Sequence, residues 1–359
     1  MNGQIIIIFT MIALKNKSKI IKLIKLSYKI NNNEYSLVQL TNFLILLNLK
    51  VEILLFKKIK KDLLKQKIDQ ELLNFEENLK NLILSQQFLK KKITKKIIFK
   101  KEEQHKILFN KLWSLFNLEE YKNDRIQRYI KRIRINNLVK HIKGKKIIDF
   151  GCGHGNFLIA CYMLGAKECV GIDYGKDSIN FAQNICRKLK IPKNSVKFLK
   201  TEVYNSHQKN EYFDFAIQNG VFHHLQYEKK AYLEVKRVLK PNGYFWVYTD
   251  GGGGVRDQIH YLSQRILKRF DKSLITEFIS RFGLTTSKQY HLGDSMNAHY
   301  NTTTYKIIER KLAKINFIKS QYLKGGFKTD FDKMFSNDPA FDFKFGDGQI
   351  RILFRKLKK

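Results

Sequence analysis

The sequence predicts an α/β protein: a mostly parallel sheet with helices on both faces, preceded by a mainly helical appendage. Three observations carry this. Between about residues 145 and 250, short apolar runs ending in polar tips alternate with segments of helical period, the pattern of a doubly wound sheet. Glycines gather where the first of these runs ends, at Gly151, Gly153 and Gly155. The first hundred residues instead hold no proline and one glycine, with long stretches of Lys, Ile, Leu and Asn.

Lys145 and Lys146 lead into Ile147-Ile148, which ends in Asp149 before the three glycines. An apolar run bounded by glycines predicts a buried parallel strand. After Gly155, the residues Phe157, Leu158, Cys161 and Leu164 recur at about a helical period until Gly165, a C-cap. A second run, Cys169-Val170-Gly171-Ile172, ends in a carboxylate at Asp173. Ser178 to Leu189 predicts a helix, Val196 to Leu199 a third strand and Phe213 to Gln218 a fourth. Thr303 to Leu312 predicts a helix, Phe317 to Leu323 a sixth strand, and Gln349 to Phe354 a last, antiparallel one.

Glycine lets backbone approach a ligand closely, and the helix after such a turn offers unpaired N–H groups. An acid at the tip of the next strand can accept both hydroxyls of a ribose. Dinucleotide sites space their glycines G-x-G-x-x-G. Here the spacing is G-x-G-x-G behind Asp149, and it resembles motif I of the class I S-adenosylmethionine (SAM) dependent methyltransferases, of the type acting on small molecules. Residues 213 to 225, FDFAIQNGVFHHL, resemble that family's fourth strand and following turn, and 234 to 248, EVKRVLKPNGYFWVY, its helix, turn and fifth strand. The resemblance covers roughly residues 105 to 355. It implies a seven-stranded Rossmann-like methyltransferase sheet and SAM as cofactor, held by Asp149, Gly151, Cys152, Gly153, Gly155 and Asp173. Glu202, in Thr201-Glu202-Val203, stands where relatives carry a Gly-Asp-Ala-like turn whose acid meets the adenine amino group. Gln218 and Asn219 stand where backbone and side chain face the methionine end of SAM.

The expected domains are a helical N-terminal appendage over residues 1–100 and a methyltransferase domain over 101–359, with a lid insertion at about 251–300. The appendage keeps a helical stripe at Leu72, Phe75, Leu79, Leu82 and Leu89, and Val51 to Phe56 fits either a strand or a helix end. The lid starts with Gly251 to Gly254 as a hinge and continues with Ile259, Leu262, Ile266, Leu267 and Phe270 at helical spacing. The resemblance places pocket-lining helices just before the first strand, with Trp113 and Tyr121 as candidates for that wall.

The formal charge of +36 invites a polyanionic partner, but its distribution argues otherwise. Residues 1–140 hold 30 Lys and Arg against 12 Asp and Glu, and 141–359 hold 38 against 20, so the excess is spread evenly. Lysine outnumbers arginine 55 to 13, whereas a site reading phosphates by paired hydrogen bonds favours arginine. Four cysteines, Cys152, Cys161, Cys169 and Cys186, fall on predicted core elements with no C-x-x-C pair, as expected of small buried hydrophobes in a reducing cytoplasm. The longest apolar stretches, Met1 to Leu14 and Tyr35 to Leu49, fall short of the roughly 20 residues that cross a bilayer, so no span is expected, and membrane contact would be peripheral. The sequence leaves the oligomeric state open.

Methyl transfer is an in-line displacement in which positioning in a dry pocket contributes most, with a base needed where the nucleophile arrives protonated. His223 and His224 stand just beyond the fourth strand, at the ligand-binding edge of such a sheet, and either can take that proton. A histidine pair here can equally shape the turn. His154 lies inside the glycine turn and is expected to face SAM or solvent. His291, Asp294, His299 and Tyr300 form a second polar cluster whose spacing makes no tight ligand motif, so no metal is expected. The D/N-P-P-Y/F motif used on exocyclic base amines is missing, Gln218-Asn219-Gly220-Val221 standing in its place. This disfavours nucleic acid and favours a small-molecule methyl acceptor such as a sugar, a lipid headgroup or another metabolite. The competing readings are an RNA methyltransferase tethered by the basic N-terminal region, a non-catalytic SAM-binding partner subunit, and, last, a nicotinamide-dependent oxidoreductase.

Overall fold

The computed structural model describes residues 17–86, 121–298 and 300–358. Met1 to Leu14, Leu89, His105, Trp113 and His299 lie outside the described residues. The elements in order are α1 (Lys17–Ser27), α2 (Glu34–Phe56), α3 (Lys61–Ser85), α4 (Gln127–Ile135), β1 (Lys146–Phe150), α5 (Asn156–Met163), β2 (Glu168–Asp173), α6 (Lys176–Lys188), β3 (Val196–Lys200), β4 (Phe213–Asn219), α7 (Glu228–Val238), β5 (Leu239–Asp250), α8 (Val255–Leu267), α9 (Lys272–Ser280), α10 (Thr286–Asn297), α11 (Tyr305–Ala313), β6 (Phe317–Tyr322), α12 (Phe341–Phe345) and β7 (Gln349–Lys356). The described residues form two compact units: 17–86, 252–298 and 337–346, and 121–251, 300–336 and 347–358.

The second unit holds one seven-stranded sheet in the order β3-β2-β1-β4-β5-β7-β6. The first five strands pair in parallel, and β7 runs antiparallel to both β5 and β6. Side chains alternate across the sheet, so adjacent isoleucines serve opposite cores. Ile147 joins Phe157, Leu158, Ile217 and Trp246 beneath α4, α5 and α6, while Ile148 joins Phe150, Phe222, Val235 and Phe245 beneath α7 and α11. Near-continuous burial along β1, β2 and β4 is what a parallel strand covered on both faces requires. The strand order reverses between β1 and β4, which opens a crevice beyond their carboxyl ends.

Pro241 to Gly243 does not precede the fifth strand but lies inside it. The register moves from Phe213↔Leu239 to Phe215↔Tyr244, so residues 240–243 bulge out of β5. Asn242 takes φ 63° there, which a short polar side chain tolerates.

The sheet unit is tied to the helix before it by a buried charge network. Arg351 on β7 donates to Asp330 at 3.0 Å and to Asp332, and Arg132 on α4 donates to Asp330 at 2.8 Å and to the Gly325 carbonyl at 3.0 Å. Each charge in this network meets an opposite one, which makes its burial tolerable.

Among the described residues, the other unit is built of helices. Val51 to Phe56 is the end of α2, and Leu72, Phe75, Leu79 and Leu82 are buried on α3 as their stripe predicts. The expected boundary at residue 100 lies outside the described residues, and residues 252–298 group with the helical unit. Val255, Ile259, Leu262 and Ile266 of α8 are buried within the helical unit, where α8 packs on α1, α2 and α10. The stripe that suggested a lid is thus the core face of a helix that needs other helices to cover it. Asn48 of α2 donates to Ser263 of α8 at 2.9 Å, and Lys288 of α10 meets Glu52 of α2 at 2.7 Å.

Among the described residues, α2 is long and apolar enough to cross a membrane, with a mean hydropathy of 1.6 over its best window. It nevertheless buries Ser36, Thr41 and Asn48 with Leu40, Leu44 and Leu47 inside the helical unit. Leu44 is fully buried. Leu44→Ala is expected to destabilise the helical unit by about 2–5 kcal/mol through lost burial and a residual cavity, read as a lowered urea midpoint with an unchanged slope.

Candidate cofactor and active site

The site forms where the turns after β1, β2 and β4 meet. Asp173, at the tip of β2, accepts one N–H from Gly153 at 2.9 Å and one from Gly175 at 2.8 Å, one on each carboxylate oxygen. The acid expected to await a ribose therefore already holds the glycine turn in place. The Tyr174 N–H also bears on this carboxylate, whose remaining lone pairs can accept from a ligand hydroxyl. Burial raises the Asp173 pKa, against the lowering effect of the backbone N–H groups.

Gly151 and Gly155 have φ of 75° and 79°, which suits glycine. Their missing side chains also leave room for protein. A Cβ at Gly151 would stand 2.6 Å from Val221, and one at Gly155 would stand 2.5 Å from the ring of Phe198. These two glycines let the β4 turn and β3 pack against the loop. Gly171 has the same task, since a Cβ there would meet Cys152 Sγ and Phe198 at 2.8 Å. Cys152 is buried and, like the other three cysteines, stays a thiol because burial raises its pKa.

Asp149 is 2% exposed, and its Oδ1 has no hydrogen-bond partner among the described residues. Burial first, and the Asp173 charge second, hold its pKa well above the usual carboxylate range. A buried acceptor without a donor costs roughly 1–3 kcal/mol, so this oxygen marks a place for a ligand donor. Glu202 is exposed beyond β3, near enough for its charge to raise the Asp173 pKa.

Gln218 and Asn219 are spent on protein. Gln218 is fully buried, donates to the Tyr248 carbonyl at 2.9 Å and accepts from the N–H groups of Val221 and Phe222. It shapes the turn. Asn219 donates to Tyr129 Oη at 3.0 Å and accepts from Trp246 Nε1 at 3.2 Å, joining α4 to the β4 tip. His223 and His224 are both buried, their rings 4.0 Å apart. His223 Nδ1 lies 3.0 Å from Thr249 Oγ1, and its ring stacks on Tyr300 at 5.0 Å with 9° between planes. Tyr300 also meets His224 edge-on at 4.6 Å, and Asn301 donates to the His223 and Leu225 carbonyls at 2.7 Å each.

The second polar cluster is divided between the units. His291 and Asp294 lie on α10, with His291 6.3 Å from His260, whereas Tyr300 belongs to the sheet unit. Among the described residues, no three His, Cys, Asp or Glu are grouped to hold a metal. His154 does not face solvent. It is 2% exposed and stacks on Phe181 at 4.0 Å, while Tyr121 donates to its carbonyl at 2.5 Å. Tyr121 is core, packed edge-on against Phe181 at 5.4 Å. Burial, helped by Arg125, lowers the His154 pKa to about 3.

Sequence reasoning missed Val221, Phe198 and Tyr129, whose roles appear only once the turns are folded together. Tyr300 was visible in the sequence, but its spacing pointed to His299 and Asp294 rather than to His223.

Residues 141–262 match the model of a methyltransferase domain family. Ribosomal protein L11 methyltransferase of Haemophilus influenzae is 32% identical over 102 residues, which is 28% of this chain and 32% of that protein. An uncharacterized methyltransferase of Schizosaccharomyces pombe is 28% identical over 134 residues, 35% of this chain and 46% of its own. This chain thus spans about a third to a half of the length of these curated relatives. A solved SAM-dependent methyltransferase from Aquifex aeolicus is 15% identical with a TM-score of 0.41, covering 67% of this chain and all of its own. Residues 141–262 carry a methyltransferase domain.

Two predictions follow from the loop's packing. Gly155→Ala is expected to destabilise the sheet unit by about 2–4 kcal/mol through strain at positive φ and overlap with Phe198. Its cost should shrink by about 1 kcal/mol in a Phe198→Ala background, a coupling that a double-mutant cycle measures. The second concerns pH. His154 stays neutral when folded but takes a proton near pH 6.5 when unfolded, so its contribution to stability is full above that pH. As pH falls towards about 3, the wild type should lose up to about 1.4 kcal/mol per unit from this group, and His154→Gln should lose that much less. Urea midpoints at pH 6.5, 5.5 and 4.5 compare the two; parallel curves would contradict the assignment.

Proposed function

We propose that the protein transfers a methyl group from SAM to a small-molecule acceptor by in-line displacement, and that the acceptor meets the cofactor beyond the tip of β4. SAM, when bound, supplies the methyl on a sulfonium sulfur. Asp149, Gly153 and Asp173 would hold it: the unpartnered Oδ1 of Asp149 suits a cationic donor, and the Asp173 oxygens suit ribose hydroxyls.

The observation that carries the acceptor reading is the aromatic wall at the β4 tip. Around Gly220, a built Cβ would find Tyr248 at 3.2 Å and the His223 ring at 4.0 Å, and Tyr300 stacks on that ring. Rings packed this way suit a compact acceptor and a dry site. His223 is the stronger candidate base. If its Nδ1–H donates to Thr249 Oγ1, the basic lone pair stands on Nε2 with the ring held by Tyr300. His224, against the other edge of Tyr300, is the second candidate.

Asp173→Ala should weaken SAM binding by about 1.5–3 kcal/mol in calorimetry, the worth of hydrogen bonds to a charged group. Replacing His223 by Asn should lower turnover about 10²–10⁴-fold with SAM affinity nearly intact, as expected of a proton-transfer group. With methyl-labelled SAM and a cell extract, the label should appear in the low-molecular-weight fraction. Label confined to RNA or to protein would overturn the acceptor class.

A further inference from the structure

One long surface of the helical unit takes no part in the site above. Along α2, the residues Tyr35, Val38, Asn42, Leu46, Leu49, Ile53 and Phe56 follow one another at intervals of three and four. This spacing puts them in one line down a helix. In the folded chain Tyr35 is 44% exposed, Leu46 46% and Ile53 57%, and Phe56 is 45% exposed although it touches Phe345. The opposite side of α2 buries Leu40, Leu44 and Leu47. A helix apolar on every side is normally covered on every side. Lys50 and Lys57 border the line, and Glu34 precedes it.

The line is its own complement when reversed. Tyr35 and Phe56, Val38 and Ile53, and Asn42 and Leu49 stand as mirror pairs about a midpoint beside Leu46. Two copies of α2 laid antiparallel would place an aromatic pair at each end, Val38 on Ile53 and Asn42 on Leu49 inside, and the Leu46 of each copy beside the axis. The same operation brings Glu34, exposed, opposite Lys57, also exposed, at both ends. Antiparallel helices also set opposite dipole ends side by side. We infer that a second copy of this chain covers this face, forming a two-fold dimer through antiparallel α2 helices. The contact is isologous, as a two-fold axis requires.

The size of the face sets the strength. A helix of 23 residues is about 34 Å long. One face of it presents roughly half of the ~800 Å² per partner typical of a stable complex. The dimer should therefore dissociate in the micromolar range and exchange readily.

Sedimentation equilibrium of the full chain, without detergent, tests this. The wild type should be a dimer that dissociates at micromolar concentration. Glu34→Lys should raise the dissociation constant several-fold by setting two lysines opposite each other at each end. Lys57→Glu added to it should restore wild-type association, with unchanged circular dichroism in all three proteins. Leu46→Lys, which sets two charges together at the axis, should abolish the dimer. A wild type that stays monomeric to ~100 µM, or a double variant no better than Glu34→Lys, overturns the proposal. So does loss of the dimer's signature in favour of binding to anionic lipid vesicles through the same residues, or an association that Leu46→Lys leaves intact.

Discussion

The site depends on the carboxylate of Asp173, which ties two turns together. One oxygen takes the N–H of Gly153 from the turn after β1, and the other takes the N–H of Gly175 from the turn after β2. Without that acceptor these two donors would lie part-buried and unpaired, each costing on the order of 1–3 kcal/mol. The glycine turn thus keeps its shape before any ligand arrives, and a preformed loop spares the entropy of ordering it on binding. A neighbouring acid, Asp149, is left with one oxygen unpartnered, so two carboxyl groups share a dry region in which protonation, or a ligand with donors of its own, relieves the burial.

The turns around this clamp are closed by apolar contact rather than by further hydrogen bonds. Val221 fills the space over Gly151, and Phe198 the space over Gly155, so β3, β4 and the loop after β1 meet with no room for a single added methyl group. At the β4 tip, Gln218 braces the turn, and Asn219 links it to Tyr129 on α4. Helix α4 is itself anchored through Arg132 to Asp330, and Asp330 to Arg351 on β7. The last strand of the sheet is in this way coupled to a helix that precedes the first.

Much of the sheet was legible because parallel strands advertise themselves. Ile147-Ile148, Cys169 to Ile172 and Phe213 to Gln218 are apolar runs closed by glycine or acid, and all three are strands at nearly the expected bounds. The antiparallel β7 was legible for a similar reason. The bulge at residues 240–243 was not, since a Pro-Asn-Gly triplet signals a break in pairing and cannot say whether the strand starts before or after it. Nor did helical period at Ile259, Leu262 and Ile266 say which partner would bury it. Within the site, glycine spacing located the loop, but the roles differ. Gly151 and Gly155 make room for protein side chains, Gln218 serves the backbone, and His154 is sealed against Phe181. Such roles depend on contacts between residues far apart in sequence, and no local pattern carries them.

The most direct test of the site is a crystal structure of the chain with S-adenosylhomocysteine. The account predicts a ligand donor within hydrogen-bond distance of Asp149 Oδ1 and ribose hydroxyls on the Asp173 carboxylate, with the Gly153 and Gly175 contacts to Asp173 kept. A ligand bound elsewhere, or bound here with Asp149 Oδ1 still lacking a partner, would contradict it.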